Sequence, residues 1–266
     1  MIITIRHETH YRLAGAALRS TQYLRLTPRS ERCQSIRDWS ITGVAGLVPW
    51  RDGFGNTVHL ATIPHQHNEI AITVEGEVET IDTCGVLPLD DGLPPRMFLR
   101  QTALTAPTPE LAAFAAPFAA MRAGEGDVAT LHRMMAAVAE AVAYQPGHTD
   151  AATPAAEAFA LGRGVCQDHA HVFISACRAV GVPCRYVSGY MVADDLGQAS
   201  HAWAEAFVPD LGWVSFDPSN RRSATDAYVR LAVGHDYAGC SPVVGSRAGG
   251  LGEELSVRLQ VQQMQE

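Results

Sequence analysis

The sequence has no apolar run that approaches the roughly 20 residues of a membrane-spanning helix. Its opening segment, MIITIRHETHYRL, also lacks the apolar core of a secretion signal. Positive charge is scarce as well, because 20 basic side chains face 28 acidic ones and leave a net charge of -8. An acidic surface repels phosphate backbones. We therefore expect a cytoplasmic protein that binds neither nucleic acid nor a membrane.

Cysteine is present, but never in the paired CxxC spacing of zinc sites and redox motifs. A chain of 266 residues buries enough surface to fold without disulfide or metal cross-links. In a reducing compartment most of the cysteines are expected to be buried free thiols, with one of them reactive. The six cysteines are Cys33, Cys84, Cys166, Cys177, Cys184 and Cys240.

The first third of the chain alternates between apolar and polar residues in the manner of β-strands. The clearest strand segments are 3–11, 22–26 and 68–81. Turn-forming residues at 50–56 separate two β runs, and the Pro-, Gly- and Asp-rich stretch 85–95 is typical of a linker. We predict an α+β protein with an N-terminal antiparallel β-sandwich-like module at 1–90, which carries no chemistry of its own. A second domain is predicted at 91–266.

Helical spacing takes over after the linker. Pro117 is expected to end or kink the first helix, Asp127 to cap the second, and Gly162 to stop the third. The central helix is predicted to begin near Cys166 and to end at Gly181, which suits the left-handed backbone that follows a helix. The predicted helices are 109–121, 128–143, a short one that starts at Thr153 and Pro154, and 166–180.

Alternation returns after the central helix. The predicted strands are 184–191, 201–208, 213–217 and a closing strand at 255–261. Turns at 194–197 and 209–212 separate the first three strands. If the second turn is tight, Asp217 lies opposite Ala204, and a longer turn or a bulge is needed to bring it level with His201.

Three side chains in this region are the parts of an activated-cysteine site. Cys166 lies in the first turn of its helix, where unpaired N–H groups and the helix dipole favour an anion such as a thiolate. His201 is a candidate base for that thiol, and Asp217 is a candidate partner that fixes the imidazole. Glycines before Cys166 leave room for a substrate, and the helix N–H groups suit a developing oxyanion. This order of thiol, imidazole and carboxylate predicts acyl transfer through a thioester.

A metal site is the alternative interpretation of Cys166, His169 and His171. Residues two apart on a helix point to different sides, so the two histidines cannot easily share one ion. Zinc-type spacing occurs nowhere else in the sequence. We expect neither a metal nor another cofactor, and we expect Asp168 to be a helix cap or a solvated first-turn carboxylate.

Sequence blocks around these residues resemble the core of the bacterial transglutaminase-like superfamily. The blocks are 162–170 (GRGVCQDHA), 178–190 (RAVGVPCRYVSGY), 200–205 (SHAWAE) and 212–220 (GWVSFDPSN). Outside the core, 25–28, 52–56 and 234–237 resemble elements of a subgroup with an N-terminal β module. The resemblance implies a papain-like core, in which a helix that carries the cysteine packs on an antiparallel sheet.

The resemblance also implies a role for each residue of the triad. Cys166 is the implied nucleophile, His201 the general acid/base and Asp217 the orienting carboxylate. The oxyanion hole would combine the Cys166 backbone N–H with a second donor, for which Tyr144 and Gln167 are candidates.

Two further residues are expected near the site. His169 stands where family members often carry an aromatic ring, so it is expected either to perturb the thiolate or to fill the space of that ring. Trp203 lies on the strand of His201 and is a further near-site candidate.

The expected activity is cysteine-dependent hydrolysis of peptide or amide bonds, as in a protease, peptidase or amidase. Transamidation by the same triad is an alternative, because the outcome depends on whether water or an amine reaches the thioester. A non-catalytic peptide-binding module that retains the fold is another. Peptides or proteins are the expected substrates, and assembly into a homo-oligomer is left open.

Overall fold

The computed structural model describes residues 1–87, 92–192 and 200–264. Its helices are α1 (Pro109–Glu125), α2 (Asp127–Ala141), α3 (Ala155–Leu161), α4 (Cys166–Ala179) and α5 (Tyr237–Cys240), with a 3-10 helix at Pro95–Leu99. Its strands are β1 (Ile2–Thr27), β2 (Gln34–Thr42), β3 (Val48–Arg51), β4 (Thr57–Ile63), β5 (His67–Thr80), β6 (Val86–Leu87), β7 (Ala143–Tyr144), β8 (Arg163–Gly164), β9 (Cys184–Met191), β10 (Ser200–Val208), β11 (Gly212–Phe216), β12 (Tyr228–Gly234), β13 (Val243–Gly249) and β14 (Glu253–Gln263). The predicted α+β class is confirmed.

The N-terminal sheet is built around β1, in the order β2-β5-β1-β4-β3. The separate strands predicted at 3–11 and 22–26 are one continuous strand, so that prediction is wrong in its number of strands. The first half of β1 pairs with β5 and β14, and the second half pairs with β4 and β13. Because both halves have hydrogen-bonded partners on both sides, the backbone stays extended while the partners change.

The closing strand predicted at 255–261 lies within β14 and is confirmed. Together with β13, which the alternation did not reveal, β14 pairs with β1 in the N-terminal sheet. The predicted linker at 85–95 contains residues outside the described ranges, and the strand just before that gap, β6, pairs with β11. The domain division at residue 90 stays a prediction.

The second sheet has the order β12-β9-β10-β11-β6, and α4 packs against β9 and β10. Strands β9, β10 and β11 confirm the three predicted after the central helix. The strand predicted at 213–217 differs from β11 at its end, because Asp217 lies just beyond β11 and forms an isolated bridge with Arg222. The turn predicted at 194–197 falls outside the described residues.

The helices match the predicted pattern with small differences at their ends. Helix α1 runs through Pro117 to Glu125, so the expectation that Pro117 ends it is wrong. Proline removes one N–H of the helix ladder, and the buried residues of α1 pack against the core on both sides of it. Gly126, not Asp127, takes the cap position of α2, and Pro154, not Thr153, that of α3. The predicted stops are confirmed, since Gly162 and Gly181 have φ of 64° and 77°.

Buried polar groups join the two sheets. Gln34 of β2 exchanges hydrogen bonds of 2.9 and 2.8 Å with the backbone of Arg230, and Asn56 exchanges two of 2.8 Å with that of Val233. These amides satisfy the outer edge of β12, whose backbone groups would otherwise be buried without partners. The N-terminal module is thereby fixed to the sheet that carries His201.

Candidate active site

The local sequence explains the position of Cys166 as the first residue of α4. Gly162 ends α3 in the left-handed region, and two residues of extended chain then lead to the helix. The carboxylate of Asp168 accepts hydrogen bonds of 2.7 Å from the Val165 N–H and from the Thr149 hydroxyl. A Cβ at Gly164 would lie 2.6 Å from the Cβ of Asp168, which explains the glycine there. Asp168 therefore caps the helix, which is the first of the two roles expected for it.

His201 and Asp217 form a close pair at one end of the second sheet. Nε2 of His201 lies 2.6 Å from Oδ2 of Asp217, and both side chains are buried. Because Asp217 occupies Nε2, the ring nitrogen left for the thiol is Nδ1. The His201 ring stacks on the fully buried Trp203, with 6.1 Å between ring centroids. Trp203 thus supports the imidazole from one side.

The strand register brings this pair together without a bulge. Ala204 lies opposite Phe216 and Val208 lies opposite Gly212, so the predicted pairing of Asp217 with Ala204 is wrong by one residue. In the observed register the next position, Asp217, falls opposite Trp203. Asp217 and His201 are then diagonal neighbours on one face, a separation that side chains can span. The predicted need for a longer turn or a bulge is therefore also wrong.

Three further side chains hold the Asp217 carboxylate. Ser219 donates to Oδ1 at 2.7 Å, while Asn220 Nδ2 and the Tyr228 hydroxyl donate to Oδ2 at 2.7 and 2.8 Å. Sequence reasoning missed all three. Ser219 and Asn220 lie in the sequence block 212–220 that resembles the superfamily core, and this position could have pointed to a role beside Asp217. Tyr228 lies on β12, and only the fold brings it near Asp217. With so many donors, the carboxylate is fixed as an ionised acceptor.

The electrostatics of the pair favour a charged imidazole. Burial lowers the pKa of His201, but hydrogen bonds to Asp217 and Cys166, and the negative charges of both groups, raise it to about 10. Burial likewise opposes ionisation of Asp217, yet the His201, Asn220 and Ser219 contacts lower its pKa to about 2. At neutral pH an imidazolium therefore lies between a carboxylate and the Cys166 sulfur.

The remaining near-site candidates have defined neighbours. The Gln167 amide points to the carbonyl oxygens of Asp150 and Ala151, at 3.3 and 3.4 Å. Tyr144 is 41% exposed and stacks on His169, with 6.0 Å between centroids. A role for Tyr144 or Gln167 as the second oxyanion donor stays a prediction.

His169 is buried among backbone groups. Its Nδ1 lies 2.9 Å from the Val165 carbonyl oxygen and its Nε2 lies 2.8 Å from that of Val142. Each ring nitrogen therefore faces a backbone carbonyl oxygen, and a ring N–H can donate to it. Whether His169 perturbs the thiolate or fills the space of an aromatic ring stays a prediction.

The two histidines of the metal alternative have different partners. Nε2 of His171 accepts a hydrogen bond of 3.1 Å from the Tyr237 N–H, whereas His169 binds Val165 and Val142. Within residues 1–87, 92–192 and 200–264, no three His, Cys, Asp or Glu side chains are grouped to hold a metal ion.

Replacing Tyr228 by phenylalanine tests the support of Asp217. We expect kcat for an acyl substrate to fall about tenfold with KM nearly unchanged, because one hydrogen bond to a charged carboxylate is lost. Burial and the charge of Asp217 raise the pKa of Tyr228, so its hydroxyl is a donor at working pH. The matched control is Tyr23→Phe on the exposed side of β1. Equal kcat in the wild type and Tyr228→Phe would show that this contact does not position the pair.

The chain is similar to known families along most of its length. Residues 115–218 match the model of the transglutaminase-like superfamily core, and residues 3–79 match that of the bacterial transglutaminase-like N-terminal region. An uncharacterized protein of Mycobacterium leprae is 28% identical over 278 aligned positions, which cover 96% of each chain. An uncharacterized protein of Mycobacterium tuberculosis is 27% identical, over 91% of this chain and 86% of its own.

The fold is also similar to a solved structure. A crystal structure from Cytophaga hutchinsonii, described as a candidate cysteine protease, superposes with a TM-score of 0.76. It covers all of this chain and 92% of its own, at 19% sequence identity, so the likeness is one of fold.

Among the described residues, none of the helices has both the length and the apolar character that a membrane span needs.

Proposed function

The chain belongs to the transglutaminase-like superfamily, and on that premise we propose that Cys166, His201 and Asp217 catalyse acyl transfer from peptide or carboxamide substrates. The observation that carries the proposal is the placement of His201 between Asp217 and the thiol, with a pKa raised to about 10 although burial opposes it. A buried histidine without such partners would lose its proton instead. The site is thus suited to a thiolate–imidazolium pair.

The proposed reaction begins when the Cys166 thiolate attacks the substrate carbonyl carbon. The carbonyl electron pair moves to oxygen, and N–H groups at the start of α4, which lack intrahelical partners, stabilise the negative charge. The oxyanion then collapses and the C–N bond breaks. His201 gives its Nδ1 proton to the departing amine or ammonia, and a thioester to Cys166 remains.

Hydrolysis completes the cycle. The now neutral His201 takes a proton from water, the resulting hydroxide attacks the thioester, and the thiolate leaves as the carboxylic acid forms. His201 is then again an imidazolium. Asp217 keeps its charge throughout and balances that of His201.

Transamidation is the second candidate outcome, since an amine in place of water yields a new amide. The triad chemistry is common to both, so the choice depends on access to the thioester. All 20 basic side chains of this protein are arginines, and it contains no lysine. Self-cross-linking through a lysine amine is therefore impossible, which makes an added amine easy to follow. We propose that water is the usual acceptor, in a cytoplasmic setting.

Intact-protein mass spectrometry tests the proposal. The full chain is mixed with a capped glutamine peptide or an activated acyl ester, and the reaction is quenched in acid. We expect a mass increase equal to the acyl group, located on Cys166 by peptide mapping, because the thioester must accumulate when deacylation is slower. Added glycine methyl ester is expected to divert little of the product from acid to amide.

Cys166→Ala is the control, because it removes the sulfur and leaves the fold of α4 intact. The absence of any adduct on the wild-type protein with both probes would reject acyl transfer. It would favour a non-catalytic peptide-binding module. A predominance of the amide product would instead assign transamidation.

A further inference from the structure

A cavity of about 200 Å³ lies in the N-terminal sheet, between β1, β5, β13 and β14. Its apolar wall consists of Leu13, Ile70 and Val243, and its polar wall includes Gln22 and Tyr11. The catalytic proposal uses none of these residues. At about 30 Å³ for each liquid water, the cavity has room for an amino-acid side chain.

Gln22 is the feature that distinguishes this cavity from a surface hollow. The residue as a whole is only 5% exposed, and its carboxamide, which makes no side-chain hydrogen bond within the described ranges, stays accessible from the cavity. A carboxamide carries two donors and one acceptor oxygen, and those of Gln22 line the cavity, where a ligand can pair with them. The Gln22 side chain lies on the buried face of β1, which is also the face of the apolar Leu24.

Gly245 makes room for that carboxamide. It is the partner of Gln22 across the β1–β13 ladder. A Cβ at Gly245 would lie 2.3 Å from Oε1 and 2.8 Å from Nε2 of Gln22. Its φ lies outside the left-handed region, so a side chain at this position would be opposed by the Gln22 carboxamide and not by the backbone conformation. The strand pair therefore cradles a polar group that has no partner of its own.

The charged residues of the cavity select against an ionised ligand. Arg247 and Glu253 form an ion pair with each other, so neither charge is left uncompensated. Burial, with smaller contributions from Glu253 and Tyr237, raises the pKa of Tyr11 to about 12, so its hydroxyl remains a neutral donor. A neutral polar group fits this lining better than a cation or a carboxylate.

We propose that the cavity binds a carboxamide-bearing side chain of the length of glutamine. A carboxamide pairs reciprocally with that of Gln22, each group giving one N–H and accepting one, while its methylene stem lies against Leu13, Ile70 and Val243. A ligand carboxylate would accept a hydrogen bond from the Gln22 N–H group. Its second oxygen, however, would lie towards the Glu253 carboxylate, which is also negatively charged. This site is separate from Cys166, and its occupancy does not depend on catalysis.

Calorimetric titration of the full chain with N-acetyl-L-glutamine methylamide tests the proposal. We expect saturable binding to one site, and binding of N-acetyl-L-glutamate methylamide that is weaker by about tenfold, because the reciprocal hydrogen-bond pair is incomplete. Gln22→Met keeps the side-chain length but removes the pairing groups, so it should weaken the glutamine probe by a similar factor. Thr21→Ala, which alters the adjacent residue on the other face of β1, is the matched control and should leave binding unchanged.

Free L-glutamine provides a further arm, which distinguishes a free amino acid from a glutamine within a peptide. If only the capped probe binds, the cavity accepts a glutamine side chain within a peptide. If the capped probe and free L-glutamine both bind, the cavity accepts a glutamine from either source. If Gln22→Met does not fold, Gly245→Ala serves in its place, since the added Cβ displaces the carboxamide. The proposal is overturned if the wild-type chain binds no glutamine probe. It is also overturned if glutamine and glutamate probes bind equally, or if a folded Gln22→Met binds as the wild type does.

Discussion

Replacing Asp217 by asparagine is expected to lower kcat for acyl transfer by about 1,000- to 10,000-fold while leaving the fold intact. The carboxylate lies 2.6 Å from His201 and balances the charge of the imidazolium. An asparagine of the same shape removes that charge and turns either an amide N–H or a weaker oxygen acceptor towards Nε2. The imidazole then loses its fixed orientation, and it also loses the Asp217 hydrogen bond and negative charge that raise its pKa. Steady-state turnover of the acyl ester measures the loss.

Asp210→Asn is the matched control for this substitution. Asp210 lies in the exposed turn between β10 and β11 with a φ of 67°, a conformation that asparagine also adopts readily. It should retain wild-type turnover. If Asp217→Asn is also active within about threefold, a role for this carboxylate in orienting His201 is excluded.

Replacing Glu205 by alanine is expected to destabilise the protein by about 3–5 kcal/mol. Glu205 is fully buried and accepts hydrogen bonds of 2.7 Å from both Arg185 and Arg230. Burial opposes its ionisation, yet the two guanidinium groups hold the pKa of Glu205 below its usual range. Removal of the carboxylate leaves two buried cations without their shared anion. Urea unfolding followed by circular dichroism measures the change.

The loss of stability should come from the packing of the two sheets. Arg230 also contacts Glu31 of the N-terminal module, and Arg185 stacks on Trp213, 3.9 Å from its ring centroid. Glu79→Ala is the control. Its partner Arg37 is exposed, so the loss should stay below about 1 kcal/mol. A Glu205→Ala protein as stable as Glu79→Ala would show that the buried charges do not hold the two sheets together.

The sequence was sufficient for the parts of the site that local rules determine. Gly162 and the apolar spacing of the next helix placed Cys166 at the start of α4, and alternation placed His201 on β10. The pairing of Asp217 was not determined, because a shift of one residue exchanges the faces of a strand and the turn sequence did not fix its length. The observed register resolves this with Asp217 diagonal to His201.

Long-range contacts were beyond local patterns. Tyr228 reaches Asp217 only because β12 lies beside β9, and the C-terminal strands join β1 although more than 200 residues separate them in the chain. The alternation of β14 predicted a strand but carried no information about its partner. Likewise, no sequence pattern pairs Glu205 with two arginines from different strands.

The rate of Cys166 alkylation as a function of pH tests the central claim most directly. The full chain is treated with iodoacetamide between about pH 6 and 9, and each cysteine is quantified by peptide mapping. Because His201 has a pKa of about 10, its proton and positive charge persist across this range and hold the thiolate. We predict that near pH 6 Cys166 reacts about 100-fold faster than the exposed Cys84 and that it remains the faster of the two up to pH 9. A Cys166 rate no faster than that of Cys84 at every pH would contradict the thiolate–imidazolium pair.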